Sequence, residues 1–177
     1  MIDTLTVLVS SILGYKSYDL LSKFMLVGDK AINYYAEAHL SKWNSWIHTL
    51  GMPFSMYGML LWIPALLNLN PAKAKLFIVG IYFFYGGHYI RISKLGALLY
   101  FLQYYLTIKF ALKKWNSPKK PSNLKLLTNG LIISSTSLCC QEFFGHWLGG
   151  DIASRPKAVP NAMIYAMYFS ATHFLKK

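Results

Sequence analysis

Charge is scarce in this chain. Only 14% of its 177 residues are charged, while 55% are apolar and 16% aromatic, which is not the make-up of an ordinary soluble surface. From Trp43 to Ala72 no charged residue occurs at all. At about 1.5 Å of rise per helical residue, that run exceeds a hydrocarbon core of about 30 Å. Cysteine is nearly missing too. Cys139 and Cys140 are adjacent in a helical run and point to opposite sides of it, so they offer neither a disulfide nor a metal pattern. No internal repeat is visible, which argues against a repeat-built transporter. The lack of a Gly-rich binding loop argues against a nicotinamide or flavin enzyme. MIDTLTVLVSSILGY lacks the basic start of a signal peptide, so residues 1–33 are expected to form an interfacial or packed helix ahead of a membrane domain at 34–177.

What is present is a series of apolar runs. Besides the first, uncharged stretches cover 76–90, 95–108, 126–141 and 158–175. Each is shorter than a standard span of roughly 20 residues, but flanking Lys and Arg can snorkel. The expected fold is therefore all-α: an integral membrane bundle of four to five helices, with a short middle hairpin turning at RISK (91–94). The net charge of +12 does not signal nucleic acid, because the lysines sit at the ends of apolar runs, as membrane-flank residues do. The densest cluster, KFALKKWNSPKKPSNLK at 109–125, reads as a surface loop touching anionic headgroups.

Polar residues in or beside such runs are costly and by default functional. Asn44 and His48 are four apart and share a helix face, with His39 just ahead of them. Glu142 and His146 are likewise four apart, with Gln141 on the adjacent face. If five runs alternate across the bilayer, His39, His48, His88 and His146 fall on one side and His173 on the other. Three histidines with open coordination positions suit iron or zinc. Asn44, Gln141 and Glu142 would then accept the remaining ring N–H groups. His39, His48 and His146 are the candidate ligands, His88 is the candidate fourth, and His173 is expected to take no part. The competing view is that interfacial histidines, like Trp and Tyr, sit at headgroup level without a ligand, in a non-enzymatic lipid-binding or scaffold protein. An iron hydroxylase or desaturase would need closely spaced HxxxH or HxxHH boxes, and there are none.

Two stretches, YAEAHLSKWNSWIHTLGMPF and QEFFGHWLGGDIASRP, resemble the paired signatures of the membrane family of 2-hydroxy fatty acid dioxygenases. His39, Asn44 and His48, followed by Gly51 and Pro53, fit the first. Gln141, Gly145, His146, Arg155, Pro156 and Asn161 follow the order of the second, with Asp151 standing a little later than the family's usual Glu. The resemblance covers roughly residues 34–175. It implies an Fe(II)-dependent enzyme that uses O2 to shorten a long-chain 2-hydroxy fatty acid by one carbon, in a membrane such as the endoplasmic reticulum. In that setting Asp151 and Glu142 are the acidic candidates for catalytic work. Arg155 would pair bidentately with the substrate carboxylate; its alternative is a flank residue snorkelling to the headgroups.

Overall fold

The computed structural model describes residues 3–151 and 159–173. The described residues form helices and no strands: α1 (Thr4–Leu21), α2 (Gly28–Ala36), α3 (Lys42–Leu66), α4 (Pro71–Ile90), α5 (Lys94–Trp115), α6 (Asn123–Cys140), a π-helical segment (Gln141–Trp147) and α7 (Val159–Thr172). Most starts follow one local rule, in which a short polar side chain accepts a backbone N–H that has no partner inside the helix. Ser41 does this for Asn44, Asn70 for Lys73, Ser93 for Gly96 and Ser122 for Lys125. Pro71 takes the first position of α4, where its missing N–H costs nothing.

α3 is the central helix, and two prolines interrupt it. Pro53 and Pro64 remove the N–H groups that Thr49 and Leu60 carbonyls would otherwise accept. Both carbonyls are recovered by α5. Gln103 Nε2 donates to Thr49 O at 2.9 Å, and Trp115 Nε1 donates to Leu60 O at 3.1 Å. The opposite flank of α3 lies antiparallel to α6, where two glycines meet. A Cβ on Gly58 would stand 2.6 Å from the Gly130 carbonyl oxygen, and one on Gly130 would stand 2.7 Å from that of Gly58. Bare backbone is what lets these helices touch. This crossing continues into the π-helix and so fixes where its side chains face α3.

α4 and α5 form the expected hairpin, packed through Tyr82, Tyr89, Tyr100 and Phe101. α1 runs alongside α4 in the same direction, close enough that a Cβ on Gly14 or Gly87 would collide with the backbone of Phe84 or Ser11. The N-terminal segment is thus a packed helix. The expected boundary between residues 33 and 34 falls inside α2. α7 closes the core with Tyr165, Tyr168 and Phe169 against α2, α3 and α5.

Two of the described helices, α3 and α5, are long and apolar enough to cross a membrane, fewer than the four to five expected. α4 and α6 have comparable length, but lysines, serines, threonines and tyrosines dilute their apolar runs. Apolar side chains nevertheless cover much of the exterior, among them Leu8 and Ile12 of α1, Leu50 and Phe54 of α3, and Leu102 and Leu106 of α5.

Candidate metal centre

Three elements converge at one end of α3. His39 lies in the connection between α2 and α3, His48 in the second turn of α3, and His146 in the π-helix. All three are buried. Their ring centroids are 4.3 Å apart for His39 and His48, 4.7 Å for His39 and His146, and 5.1 Å for His48 and His146. One ring nitrogen from each comes within 4.8 Å of the others. Three histidines separated by up to 107 residues in the chain are therefore brought together.

The main chain sets two of the tautomers. His39 Nδ1 stands 2.8 Å from the Tyr35 carbonyl and His48 Nδ1 stands 3.1 Å from the Asn44 carbonyl. A carbonyl can only accept, so each Nδ1 carries the proton and each Nε2 keeps its lone pair. His39 Nε2 is buried with no hydrogen-bond partner among the described residues. The His39 ring is stacked on Tyr35 at 4.3 Å and flanked by Phe169 at 5.0 Å. Burial, aided by nearby His48, pushes its pKa down to about 3, so the ring is neutral at physiological pH.

That shift predicts a pH dependence. An unfolded histidine takes up its proton near pH 6.5, whereas folded His39 does so only near 3. The unfolded state therefore binds more protons between those values, and stability, complete above 6.5, is lost as the pH falls. The expected slope from this one group is about 1.4 kcal/mol per pH unit. Thermal melts of chelator-treated protein between pH 7.5 and 5 should show it, with a shallower slope for His39→Gln; identical slopes would contradict the burial of a neutral His39.

Asn44 and Asp151 hold the centre from the side. Asn44 Nδ2 donates to Ala38 O at 3.0 Å and to Asp151 Oδ2 at 2.9 Å, and lies 3.3 Å from His146 Nδ1. The expected side-chain acceptance of a ring N–H by Asn44 is performed by its backbone carbonyl instead. The Asp151 carboxylate also accepts the Ser41 N–H at 3.0 Å, which pins the 147–151 turn onto the positive N-terminus of α3. Burial favours neutral Asp151, but the hydrogen bonds from Asn44 and Ser41 outweigh it and keep the carboxyl below its usual range. Asp151 is therefore an anchoring anion whose hydrogen bonds point to α3 and Asn44. Gly145 is needed beside it, since a Cβ there would stand 2.4 Å from Asn44 Oδ1.

The π-helix changes the faces expected from a 3.6-residue period. In an α-helix Glu142 and His146 share a face, but the i→i+5 winding brings Gln141 and His146 inward and leaves Glu142 exposed. Gln141 does not accept a ring N–H. Its Nε2 donates to Ser55 Oγ at 2.9 Å, within a chain in which Ser55 Oγ donates to Ser137 Oγ and Ser137 Oγ to the Gly51 carbonyl. Gln141 Oε1 is buried with no hydrogen-bond partner among the described residues.

His88 is not in the group. Its Nδ1 lies 3.0 Å from Ser17 Oγ and its Nε2 lies 3.0 Å from Tyr165 Oη, so both ring nitrogens are occupied in tying α1, α4 and α7 together. α4 faces α1 at this point rather than the start of α3, which is why the expected fourth ligand is absent. His173 corrects the sidedness drawn from five alternating runs. α7 carries it to the same end of α3, with Nδ1 3.2 Å from Thr49 Oγ1 and its ring 5.9 Å from Trp46, though outside the three-histidine set. Arg155 and Pro156 lie outside the described residues. Tyr35, Ser41 and Phe169 were not anticipated; of these, only Ser41, three residues before Asn44, carries a local signal, that of a helix N-cap.

The donor set fits a transition metal: three buried imidazoles, two with their lone-pair nitrogens selected by backbone carbonyls. No family model matches the chain, and neither a curated protein nor a solved structure matches it.

Proposed function

We propose that the protein is an integral membrane enzyme in which His39, His48 and His146 hold Fe(II), and that it uses O2 to shorten long-chain 2-hydroxy fatty acids by one carbon. The convergence of three buried imidazole nitrogens within 4.8 Å carries this reading. The exposed apolar faces and the two helices able to cross a bilayer support the membrane setting. The resemblance of the two histidine-bearing stretches to the dioxygenase family supports the choice of substrate.

The overall reaction closes without a reductant: one hydroxy acid and one O2 give one shorter fatty acid, one CO2 and one water. That agrees with a chain having no Gly-rich cofactor loop. When bound, ferrous iron supplies a Lewis-acidic position for the substrate's hydroxyl and carboxylate and a place for O2. The protein's own contribution is placement. The Tyr35 and Asn44 carbonyls hold the Nδ1–H groups of His39 and His48, which leaves each Nε2 as the donor atom. Asn44 and Asp151 fix the turn that follows His146. Tyr35 and Phe169 cover His39 with apolar surface that excludes water. The acyl chain would lie between helices, and an apolar cavity of 470 Å³ beside Leu50, Gly51, Phe144 and Gln141 offers room for part of it.

The test is anaerobic loading of detergent-purified protein with Fe(II), followed by addition of a 2-hydroxy long-chain acid and O2. The expected product is the acid one carbon shorter, with O2 consumed in equal amount. Arg155→Lys keeps the charge but loses the planar fork, so it is expected to weaken substrate binding at unchanged iron content. Iron-loaded protein that makes no shortened acid would overturn the enzyme reading, and protein that takes up no metal would favour the lipid-binding or scaffold alternative.

A further inference from the structure

A second, larger cavity of 1050 Å³ lies between α3, α5 and α6, away from the histidines. Phe54 and Tyr57 of α3, Leu106 and Phe110 of α5 and Ile133 of α6 make its walls. Leu106 and Phe110 are themselves more than half exposed, at 55% and 54%, so the groove opens along the outside of the two helices able to cross a membrane. One end is polar, where the last turn of α5 and the loop after it supply Lys113, Lys114, Asn116 and Ser117.

These lysines have no carboxylate to meet. The Arg91–Asp19 ion pair lies at the end of α4 and on α1, away from them, and the sequence holds no Asp or Glu between Glu37 and Glu142. The countercharge for this end of the groove therefore comes from outside the chain. A C-terminal helix dipole attracts lysines but does not explain why an apolar groove leads to them.

We propose that the groove binds an acidic phospholipid, its phosphate between Lys113 and Lys114 with Asn116 and Ser117 as further donors, and its acyl chains along Phe54, Leu106 and Phe110. Basic pockets between membrane helices recognise acidic headgroups in this way. A lateral opening lets a lipid enter from the bilayer without leaving it. The size favours a two-chain lipid over a single fatty acid, since the groove is at the top of the roughly 300–1,000 Å³ range of small-molecule pockets. No histidine lines the groove, although Phe54 and Ile133 also border the smaller cavity beside Gln141.

The experiment is native mass spectrometry of protein released from phosphatidylcholine nanodiscs doped with phosphatidylglycerol. Wild type is expected to retain phosphatidylglycerol over phosphatidylcholine by roughly tenfold or more, as two lysines at an anionic headgroup supply. Lys113→Gln combined with Lys114→Gln should abolish the preference. Asn116→Glu, an exposed change that places an anion at the mouth, should do the same if the double variant does not fold. Lys119→Gln, in the same loop but outside the groove, and His146→Ala should both keep the preference. Equal retention in wild type and double variant, or an equal loss in Lys119→Gln, would overturn the proposal in favour of unspecific attraction to the loop. Displacement of the phospholipid by an equal concentration of oleate would overturn it in favour of a fatty acid.

Discussion

His146→Ala protein is expected to purify with metal at background where wild type should carry about one ion per chain, and the variant should form no shortened acid at any iron concentration that leaves the protein soluble. The loss is expected to exceed the 10–100-fold in affinity typical of removing a group that only hydrogen-bonds a ligand. His146 supplies one of three converging ring nitrogens, and two imidazoles alone leave the ion mostly to solvent. The same loss is expected for His39→Ala and His48→Ala, and combining any two should add little, because one deletion already breaks the shell. His88→Ala is the discriminating control. Both of its ring nitrogens are engaged by Ser17 and Tyr165, so the variant should lose stability yet keep its metal. Inductively coupled plasma analysis of the four variants decides the matter; metal retained by His146→Ala but lost from His88→Ala would refute the assignment.

Gly58→Ala is the second substitution with a large expected effect, although it lies well away from the histidines. Its Cβ would stand 2.6 Å from both Gly130 O and Ser134 N. These are backbone atoms and cannot rotate aside, so α3 and α6 must separate. Overpacking of this kind costs about 1–3 kcal/mol, or roughly 3–10 °C in midpoint for a chain of this size. The separation passes along the same helix pair to His48 and His146, so metal affinity should fall with stability. Gly80→Ala is the comparison, because its new Cβ would meet only the Ser10 hydroxyl, at 3.3 Å. Equal melting temperatures for Gly58→Ala and Gly80→Ala would mean that the glycine crossing does not limit the approach of these helices.

The histidine set was legible because each member sits beside other polar residues at the edge of an apolar run, where a polar group demands a reason. The helical class was legible from the same runs. What periodicity does not carry is the identity of the neighbour. His88 ends α4 in a Gly-Gly-His that looks much like the other candidates, yet α4 turns it to α1 and Tyr165. Glu142 was misplaced because four-residue spacing holds for an α-helix and this segment is wound as a π-helix. The position of His173 was inferred by counting crossings, and α7 carries it back to Thr49. Asp151 and Ser41, 110 residues apart, leave no local sign of the hydrogen bond that joins them.

The two prolines of α3 bear on how the chain is made. In the bilayer setting proposed above, α3 leaves the insertion machinery with the Thr49 and Leu60 carbonyls bare, and no water in hydrocarbon can hydrate them. The groups that relieve them, Gln103 and Trp115, are translated more than fifty residues after those carbonyls. For that interval the central helix is the least settled part of the nascent protein. Arrival of α5 is therefore the step that commits the bundle, and a chain cut before it would present quality-control factors with a proline-broken helix whose carbonyls have nothing to accept.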